Sequence, residues 1–217
     1  MNTLLKKMML ALLALGIGQA VWADDVPDLQ KTLQSARQGN AAAQFNLGLM
    51  YVKGQGGVRQ DYAEAVKWYR QSAKQGFVLA QYNLGVMYGR GLGVRKDDTQ
   101  AVKWYRQAAQ QGFAQAQFNL GAMYYDGLGV RKDYAQAAKW FRQAAQQGNA
   151  RAQYNLGMMY ANGQGVHQDD AQAVQWYRKA AEQGYAQAQY NLGVRYDNGR
   201  GVRQDYTQAV QWYRKAA

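Results

Sequence analysis

Apolar residues recur along this chain in one nine-residue pattern, which occurs five times. In its first copy Ala43, Leu47 and Tyr51 are spaced four residues apart, and this spacing places them on one face of an α-helix. The copies start at Ala43, Ala80, Ala116, Ala152 and Ala188, so the steps between them are 37, 36, 36 and 36 residues. A fixed period of this length is typical of helical repeats that stack and bury a continuous core. The pattern therefore predicts an all-α fold.

Each period contains two predicted helices joined by a glycine-rich turn. The first helix is predicted from Ala41 to Lys53 in copy one, and Gly54 follows it where a left-handed residue closes a helix. The second helix is predicted to begin near Asp61, because Asp61 and Glu64 have the spacing of a capping box. The equivalent aspartates are Asp97, Asp133, Asp169 and Asp205.

One glycine lies in the middle of every predicted first helix. Its positions are Gly48, Gly85, Gly121, Gly157 and Gly193. Glycine inside a helix costs ~1 kcal/mol relative to alanine. Its recurrence in all five copies predicts that another helix approaches closely at this point.

The positions that differ between copies also share one face of the first helix. In copy one they are Ala42, Phe45, Leu49 and Val52, at offsets of 3, 4 and 3 residues. Their aromatic members are Phe45, Tyr82, Phe118, Tyr154 and Tyr190. We interpret this face as the lining of a concave groove that binds a peptide or protein partner. The alternative is that these rings fill the core between neighbouring first helices.

A ladder of asparagines lies beside this variable face. Its members are Asn46, Asn83, Asn119, Asn155 and Asn191. An amide side chain both donates and accepts, so it can pair with the backbone of a bound extended peptide. The alternative is a structural hydrogen bond to the neighbouring repeat.

The repeated residues resemble the Sel-one-like repeat family, a branch of the tetratricopeptide-like α-solenoids. The resemblance rests on Ala-x-x-x-Leu-Gly-x-x-Tyr, the Gly-x-Gly turn and Ala-x-x-Trp-Tyr-x-x-Ala-Ala, and it covers residues 40–217 in five repeats. It implies a right-handed superhelical solenoid of antiparallel helix pairs that acts as an interaction scaffold. In related tetratricopeptide proteins, asparagines of this helix hold the ligand backbone, which by resemblance supports that role here.

The family also includes members with other properties. Exported bacterial members are associated with host interaction, envelope functions and secreted factors. Some Helicobacter relatives have a disulfide in each repeat and are linked to penicillin binding and β-lactam hydrolysis. This chain contains no cysteine, so the resemblance does not extend to that activity.

The N-terminal residues 1–23 have the pattern of a signal peptide. Lys6 and Lys7 precede an apolar run from Met8 to Ile17, and cleavage is predicted after Ala23. We expect an exported protein, periplasmic or secreted, without stable membrane insertion after cleavage; the alternative is a retained anchor. Residues 24–39 are predicted to form an N-terminal capping helix with a polar outer face.

The chain has a formal net charge of +12, and removal of Lys6 and Lys7 leaves +10. The basic residues concentrate on the second helices and the turns before them: Arg59, Lys67, Arg70, Arg95, Lys96, Lys103 and Arg106, with similar sets later. Such a surface is either simply solvated or attracts anionic envelope components in a salt-sensitive manner. Export argues against nucleic acid as the partner.

No set of residues has the pattern of a catalytic centre. His167 is the only histidine, Ser35 and Ser72 are the only serines, and no group has metal-ligand spacing. We therefore expect no cofactor, no metal and no enzymatic activity. The predicted function is a non-catalytic scaffold that binds a peptide or protein partner. The second hypothesis is an envelope or host-interaction factor that acts through its basic face, and the third is a β-lactam-binding enzyme.

Overall fold

The computed structural model describes residues 28–217, so the predicted signal peptide at residues 1–23 and its cleavage site lie outside the described residues. Between residues 28 and 217 the chain forms helices and turns, with no strand. The helices are α1 (Leu29–Arg37), α2 (Ala41–Lys53), α3 (Tyr62–Lys74), α4 (Val78–Arg90), α5 (Asp98–Gln110), α6 (Ala114–Asp126), α7 (Tyr134–Gln146), α8 (Ala150–Asn162), α9 (Asp170–Glu182), α10 (Ala186–Asn198) and α11 (Tyr206–Ala216).

The helices belong to two compact units, one that ends at Lys96 and one that spans Asp97–Ala217. In the first unit α1 packs on α2, α2 on α3 and α3 on α4. In the second unit each helix from α5 to α10 packs on the helix that follows it. Because each helix of a pair contacts its neighbours in sequence, the core is distributed along the chain. This confirms the predicted all-α solenoid of antiparallel helix pairs.

The helix boundaries follow the predicted caps closely. Helix α2 covers Ala41–Lys53 as predicted, and Gly54 closes it with a φ of 65°. The Asp61 carboxylate caps α3 by accepting from the backbone N–H groups of Ala63 and Glu64 at 2.9 and 3.0 Å. The Asp61 side chain thus replaces two of the missing helical partners in the first turn of α3.

The full capping box is not formed, and the prediction was wrong in this detail. The backbone N–H of Asp61 donates to the carbonyl oxygen of Tyr51 at 2.9 Å. This bond ties the second helix to the end of the first and leaves no donor for Glu64. The Glu64 side chain instead pairs with Lys67.

The mid-helix glycine leaves room for an aromatic ring of another helix, and the recurrence of this glycine predicted such a close approach. A Cβ atom placed on Gly157 would lie 2.7 Å from Cδ1 of Tyr177, and one on Gly121 would lie 2.8 Å from Cδ1 of Phe141. Both rings come from the second helix of the same repeat and are nearly fully buried. The two helices of a repeat therefore interlock at this position.

The core of each repeat is built from small and branched side chains. The repeated leucine of the first helix is fully buried in all five copies: Leu47, Leu84, Leu120, Leu156 and Leu192. Alanines of the second helix, such as Ala144 and Ala180, are also fully buried and let the helices pack closely. This packing fixes the position of the first-helix face on which the candidate site lies.

Candidate functional site

The aromatic side chains of the variable face pack on rings of neighbouring helices. Phe45 lies 5.6 Å from Tyr69 between ring centroids, and Tyr154 lies 5.9 Å from Tyr177. Tyr185, which directly precedes the first helix of the next repeat, also contacts Tyr154. The centroids of these two rings lie 5.3 Å apart. In the first and fourth repeats the variable ring thus joins its own second helix to the start of the next repeat.

The five predicted rings differ widely in exposure. Tyr82 and Phe118 are buried, with 7% and 8% of their surface exposed, so we assign them to packing. Phe45 and Tyr154 are half-buried, whereas Tyr190 is 57% exposed. The core interpretation therefore fits Tyr82 and Phe118, whereas Tyr154 keeps part of its surface exposed.

Tyr154 and Tyr190 share an open cavity of about 660 Å³ in the second unit. Asn191 and Tyr213 also line it. Three of the sequence-predicted binding residues are therefore brought together here. Its lining is mainly aromatic and amide, which suits a peptide with an apolar side chain.

All five asparagines of the ladder are half-buried, but their surroundings differ. Asn191 interacts with the hydroxyls of Tyr154 and Tyr177, and Asn83 interacts with that of Tyr69. Burial raises the pKa of all three tyrosines above 10.0, and the asparagines partly offset this rise by stabilising the charged form. Asn83 and Asn191 thus lie near tyrosine hydroxyls of the preceding repeat, although the described structure shows no hydrogen bond of normal geometry from either amide.

Asn155 has no such partner. The corresponding positions of the preceding repeat are occupied by Phe118 and Phe141, which carry no hydroxyl. Within residues 28–217 the Asn155 side chain makes no hydrogen bond, and it remains half-exposed. The structural reason that explains the asparagine at positions 83 and 191 does not apply to it.

Arg151 lies one helical turn before Asn155 on α8, so both side chains share a face. Its guanidinium carbon lies 4.4 Å from the centroid of the Phe118 ring, in a cation–π contact that orients the group. The side chain is exposed and forms no ion pair among the described residues. Other repeats have Ala42, Leu79, Gln115 and Gln187 at this position.

Part of the predicted basic surface is used between repeats. The Nη2 atoms of arginines in the second helices donate to tyrosine hydroxyls of the next first helix. The pairs are Arg70–Tyr88 at 2.8 Å, Arg106–Tyr124 at 3.0 Å, Arg142–Tyr160 at 3.0 Å and Arg178–Tyr196 at 2.7 Å. Placing Arg70 and Arg106 on a purely solvated face was wrong, because a guanidinium has a planar set of donors that reaches this hydroxyl.

A second set of inter-repeat contacts uses buried glutamines that the sequence analysis missed. The Gln153 amide nitrogen donates to the carbonyl oxygen of Ala145 at 3.1 Å, and its oxygen accepts from Gln183 at 2.7 Å. Gln44, Gln81, Gln117 and Gln189 make the same contact with the preceding repeat. These glutamines could have been found from the sequence, because they recur in every copy. The arginines and tyrosines that pair between repeats recur in the same way.

The described residues show no chemistry beyond these contacts. Between residues 28 and 217 no cluster of histidine or acidic side chains could hold a metal ion. Nor is any helix in that range both long and apolar enough to span a bilayer. His167 is exposed in the turn before α9.

Fold and contacts together define a helical-repeat solenoid in which each pair of helices is bonded to the next. The chain belongs to the Sel1 repeat family, whose model matches residues 41–77, 78–113, 114–149, 150–185 and 186–217. These ranges coincide with the five repeats of the structure. Proteins of this family generally mediate protein–protein interactions and are generally non-catalytic.

Two of the solved structures that resemble this chain are more than 35% identical to it and cover most of its length. One is c5321 of uropathogenic Escherichia coli, described as a protective antigen with an SLR fold, at 44% identity and a TM-score of 0.85. That match covers 88% of this chain but 40% of c5321, so the chain spans less than half of that protein. The other is a Sel1 repeat protein from Oxalobacter formigenes, at 39% identity and a TM-score of 0.83, with 87% of this chain and 77% of that chain covered. No curated protein matches the chain significantly.

Proposed function

We propose that this protein is a non-catalytic scaffold that binds a peptide segment of a partner protein along the first-helix face of its second unit. The observation that carries the proposal is the unpaired Asn155 beside the oriented Arg151. Asn155 forms no hydrogen bond and Arg151 forms no ion pair among the described residues, so both polar groups can bind an external ligand on the helix face that they share.

The two side chains define the chemistry of this ligand. The Asn155 amide can donate to one peptide carbonyl and accept from one peptide N–H, which favours an extended backbone. The Arg151 guanidinium favours a carboxylate, since it presents parallel donors and already lies over the Phe118 ring. The partner segment is therefore acidic.

Apolar contacts come from the neighbouring cavity of about 660 Å³. Tyr154 immediately precedes Asn155 on α8 and lines this cavity together with Tyr190 and Asn191. The bound peptide would place an acidic residue against Arg151 and, a short stretch further along its own chain, an apolar residue against Tyr190. The combination of one charge and one apolar anchor sets the register of binding.

We also propose that the protein acts outside the cytoplasm. The support is the pattern of residues 1–23, together with the similarity to a bacterial protective antigen. A catalytic role is not part of the proposal, because the described polar groups recur as caps and inter-repeat contacts. Turnover of nitrocefin above the blank would contradict this view.

The test is selection from a display library of random twelve-residue peptides, with the purified chain as bait. We expect enrichment of extended sequences that contain aspartate or glutamate near an apolar residue. With Arg151→Gln as bait the acidic preference should disappear, and selected peptides should bind about tenfold more weakly, as expected for a charge-assisted hydrogen bond. Glutamine is the natural residue at positions 115 and 187, so the variant should fold.

The matched control is Arg131→Gln, which removes one positive charge from an exposed turn. It should leave the selected sequences and their affinities unchanged. Failure of the library to enrich any peptide, or the same acidic preference with both variants, would overturn the proposal.

A further inference from the structure

The fifth repeat differs from the other four at two positions that contact the repeat before it. Arg195 stands where every other first helix has a methionine: Met50, Met87, Met123 and Met159. Arg200 stands where the other turns have Gln55, Leu92, Leu128 and Gln164. Both arginines pair with one carboxylate, that of Asp170 at the start of α9. Two changes confined to one repeat thus converge on a single partner.

Arg195 is the inner of the two arginines. Only 12% of its side-chain surface is exposed, compared with 55% for Arg200. Its Nη1 atom donates to Oδ1 of Asp170, while Nη2 of Arg200 donates to Oδ2 at 3.2 Å. The Asp170 carboxylate is therefore bound through both of its oxygens, and it in turn fixes the Arg195 guanidinium.

The Arg195 guanidinium contacts a ring that supports the open cavity. Its central carbon lies 5.9 Å from the centroid of the Tyr177 ring. That centroid lies 5.9 Å from the centroid of Tyr154, which lines the cavity. Burial raises the pKa of Tyr177, and the charge of Arg195 offsets part of this rise, as expected for a guanidinium near the phenol oxygen. A series of contacts thus runs from Asp170 through Arg195 and Tyr177 to Tyr154.

The fold does not require an ion pair at this position. Met50, Met87 and Met159 are buried at the equivalent place in other repeats. A largely buried ion pair is often no more stabilising than apolar side chains of similar volume, because both charges lose their hydration. The two kinds of contact differ in direction, since methionine is flexible and fills space in many conformations. A planar guanidinium bound to a carboxylate has one preferred orientation.

The orientation of Tyr154 depends on what lies against it. Its equivalents Tyr82 and Phe118 are buried, so dense packing fixes them. Tyr154 is half-buried and borders the open cavity, so fewer neighbours hold its ring. We propose that Arg195 is a positioning residue for the peptide site: bound to Asp170, it fixes the Tyr177 ring and thereby holds Tyr154 in the orientation that lines the cavity. Its effect on affinity rests on the peptide-binding function proposed above, whereas the ordering of Tyr154 does not.

The first measurement therefore needs no ligand. We would incorporate 3-fluorotyrosine at position 154 and compare its fluorine NMR resonance in the otherwise unmodified chain and in Arg195→Met. Methionine is the residue of the other four repeats, so this variant should fold. We expect one narrow resonance in the unmodified chain and a shifted, broadened one in the variant, because the ring then samples more orientations.

The second measurement is the affinity for an acidic peptide selected on the unmodified chain, by fluorescence anisotropy. Arg195→Met should bind about three- to tenfold more weakly, since the Tyr154 ring is then ordered only on binding. Its free energy of unfolding in urea should not fall, because methionine replaces the ion pair with apolar packing. Loss of affinity without loss of stability separates a positioning role from a merely structural one.

The control variant is Arg200→Gln, which removes the same charge from the same carboxylate and introduces the residue of positions 55 and 164. It should leave the fluorine resonance unchanged and alter the affinity by less than about twofold, since an exposed ion pair contributes little. An unchanged resonance or affinity in Arg195→Met, or equal effects of the two variants, would overturn the inference. A shifted resonance in Arg195→Met with no peptide binding by the unmodified chain would support the ordering of Tyr154 and overturn the peptide-binding function instead.

Discussion

At the scale of single residues, the repeats serve as controls for one another. Tyr69 is fully buried, and its hydroxyl makes no hydrogen bond of normal geometry, although Asn83 lies close enough to interact. The third repeat has Phe141 at the equivalent position, equally buried. The fold therefore does not need the hydroxyl at this place, and the buried oxygen is a cost.

Replacing Tyr69 by phenylalanine should leave the free energy of unfolding at neutral pH within about 0.5 kcal/mol of the original or raise it, because no good hydrogen bond is lost. The matched control is Tyr160→Phe, since the Tyr160 hydroxyl accepts a hydrogen bond from Arg142 at 3.0 Å. That change should cost about 0.5–1.5 kcal/mol. Urea denaturation followed by circular dichroism measures both, and equal losses would contradict the assignment.

The same tyrosine predicts a dependence on alkaline pH. Burial raises the pKa of Tyr69 above its usual 10.0, so the folded state holds the proton more tightly than the unfolded state. The contribution of this raised pKa to the free energy of unfolding is fully present below pH 10. It is lost as the pH rises through the pKa of Tyr69 in the folded state. The decline in stability above pH 10 should be shallower in Tyr69→Phe.

At the scale of helices, repeats are joined by side-chain contacts that recur at a constant separation. Arg142 Nη2 donates to the Tyr160 hydroxyl at 3.0 Å, across 18 residues of sequence. The glutamine contacts reach back eight residues to the end of the preceding helix. These bonds, together with apolar packing, hold each pair of helices to the next.

A double-mutant cycle of Arg142→Gln and Tyr160→Phe should give a coupling energy of about 0.5–1.5 kcal/mol in urea denaturation, because the two groups form a hydrogen bond. The control cycle combines Arg214→Gln with Tyr160→Phe. Arg214 has no tyrosine partner among the described residues, so coupling there should be near zero. Indistinguishable coupling in the two cycles would show that Arg142 does not act through Tyr160.

The helices could be predicted from the sequence because their signals are local. Periodic apolar residues, capping aspartates and closing glycines each act within one helix, and α2 has its predicted bounds. The partners of Arg142 and Gln153 could not be assigned in this way. Their recurrence was visible, but the direction of each side chain depends on how the next repeat packs.

The candidate site was predictable only in part for the same reason. The periodicity located the face that carries Tyr154, Asn155 and Tyr190. It could not separate Asn155 from Asn191, because the difference lies in the hydroxyls that the preceding repeat supplies. Nor could it predict that Phe118 is buried while Tyr190 is exposed.

At the scale of the whole molecule, the protein is a repeated framework on which individual positions have changed. Recurring residues hold neighbouring repeats together, and the stability of such a chain is close to a sum over repeats and their interfaces. Positions freed from these contacts are available for binding. The proposed peptide face at Arg151 and Asn155 is such a surface.

The central claim is that Asn155 binds a ligand whereas Asn83, which belongs to the first unit and lies outside the proposed peptide face, does not. The most direct test compares Asn155→Ala with Asn83→Ala, by fluorescence anisotropy with a library-selected acidic peptide and by urea denaturation. Asn155→Ala should weaken peptide binding about two- to tenfold, as for one lost hydrogen bond, and change the free energy of unfolding by less than about 0.5 kcal/mol. Asn83→Ala should leave the affinity unchanged. If Asn155→Ala instead lowers stability with intact binding, the account is contradicted.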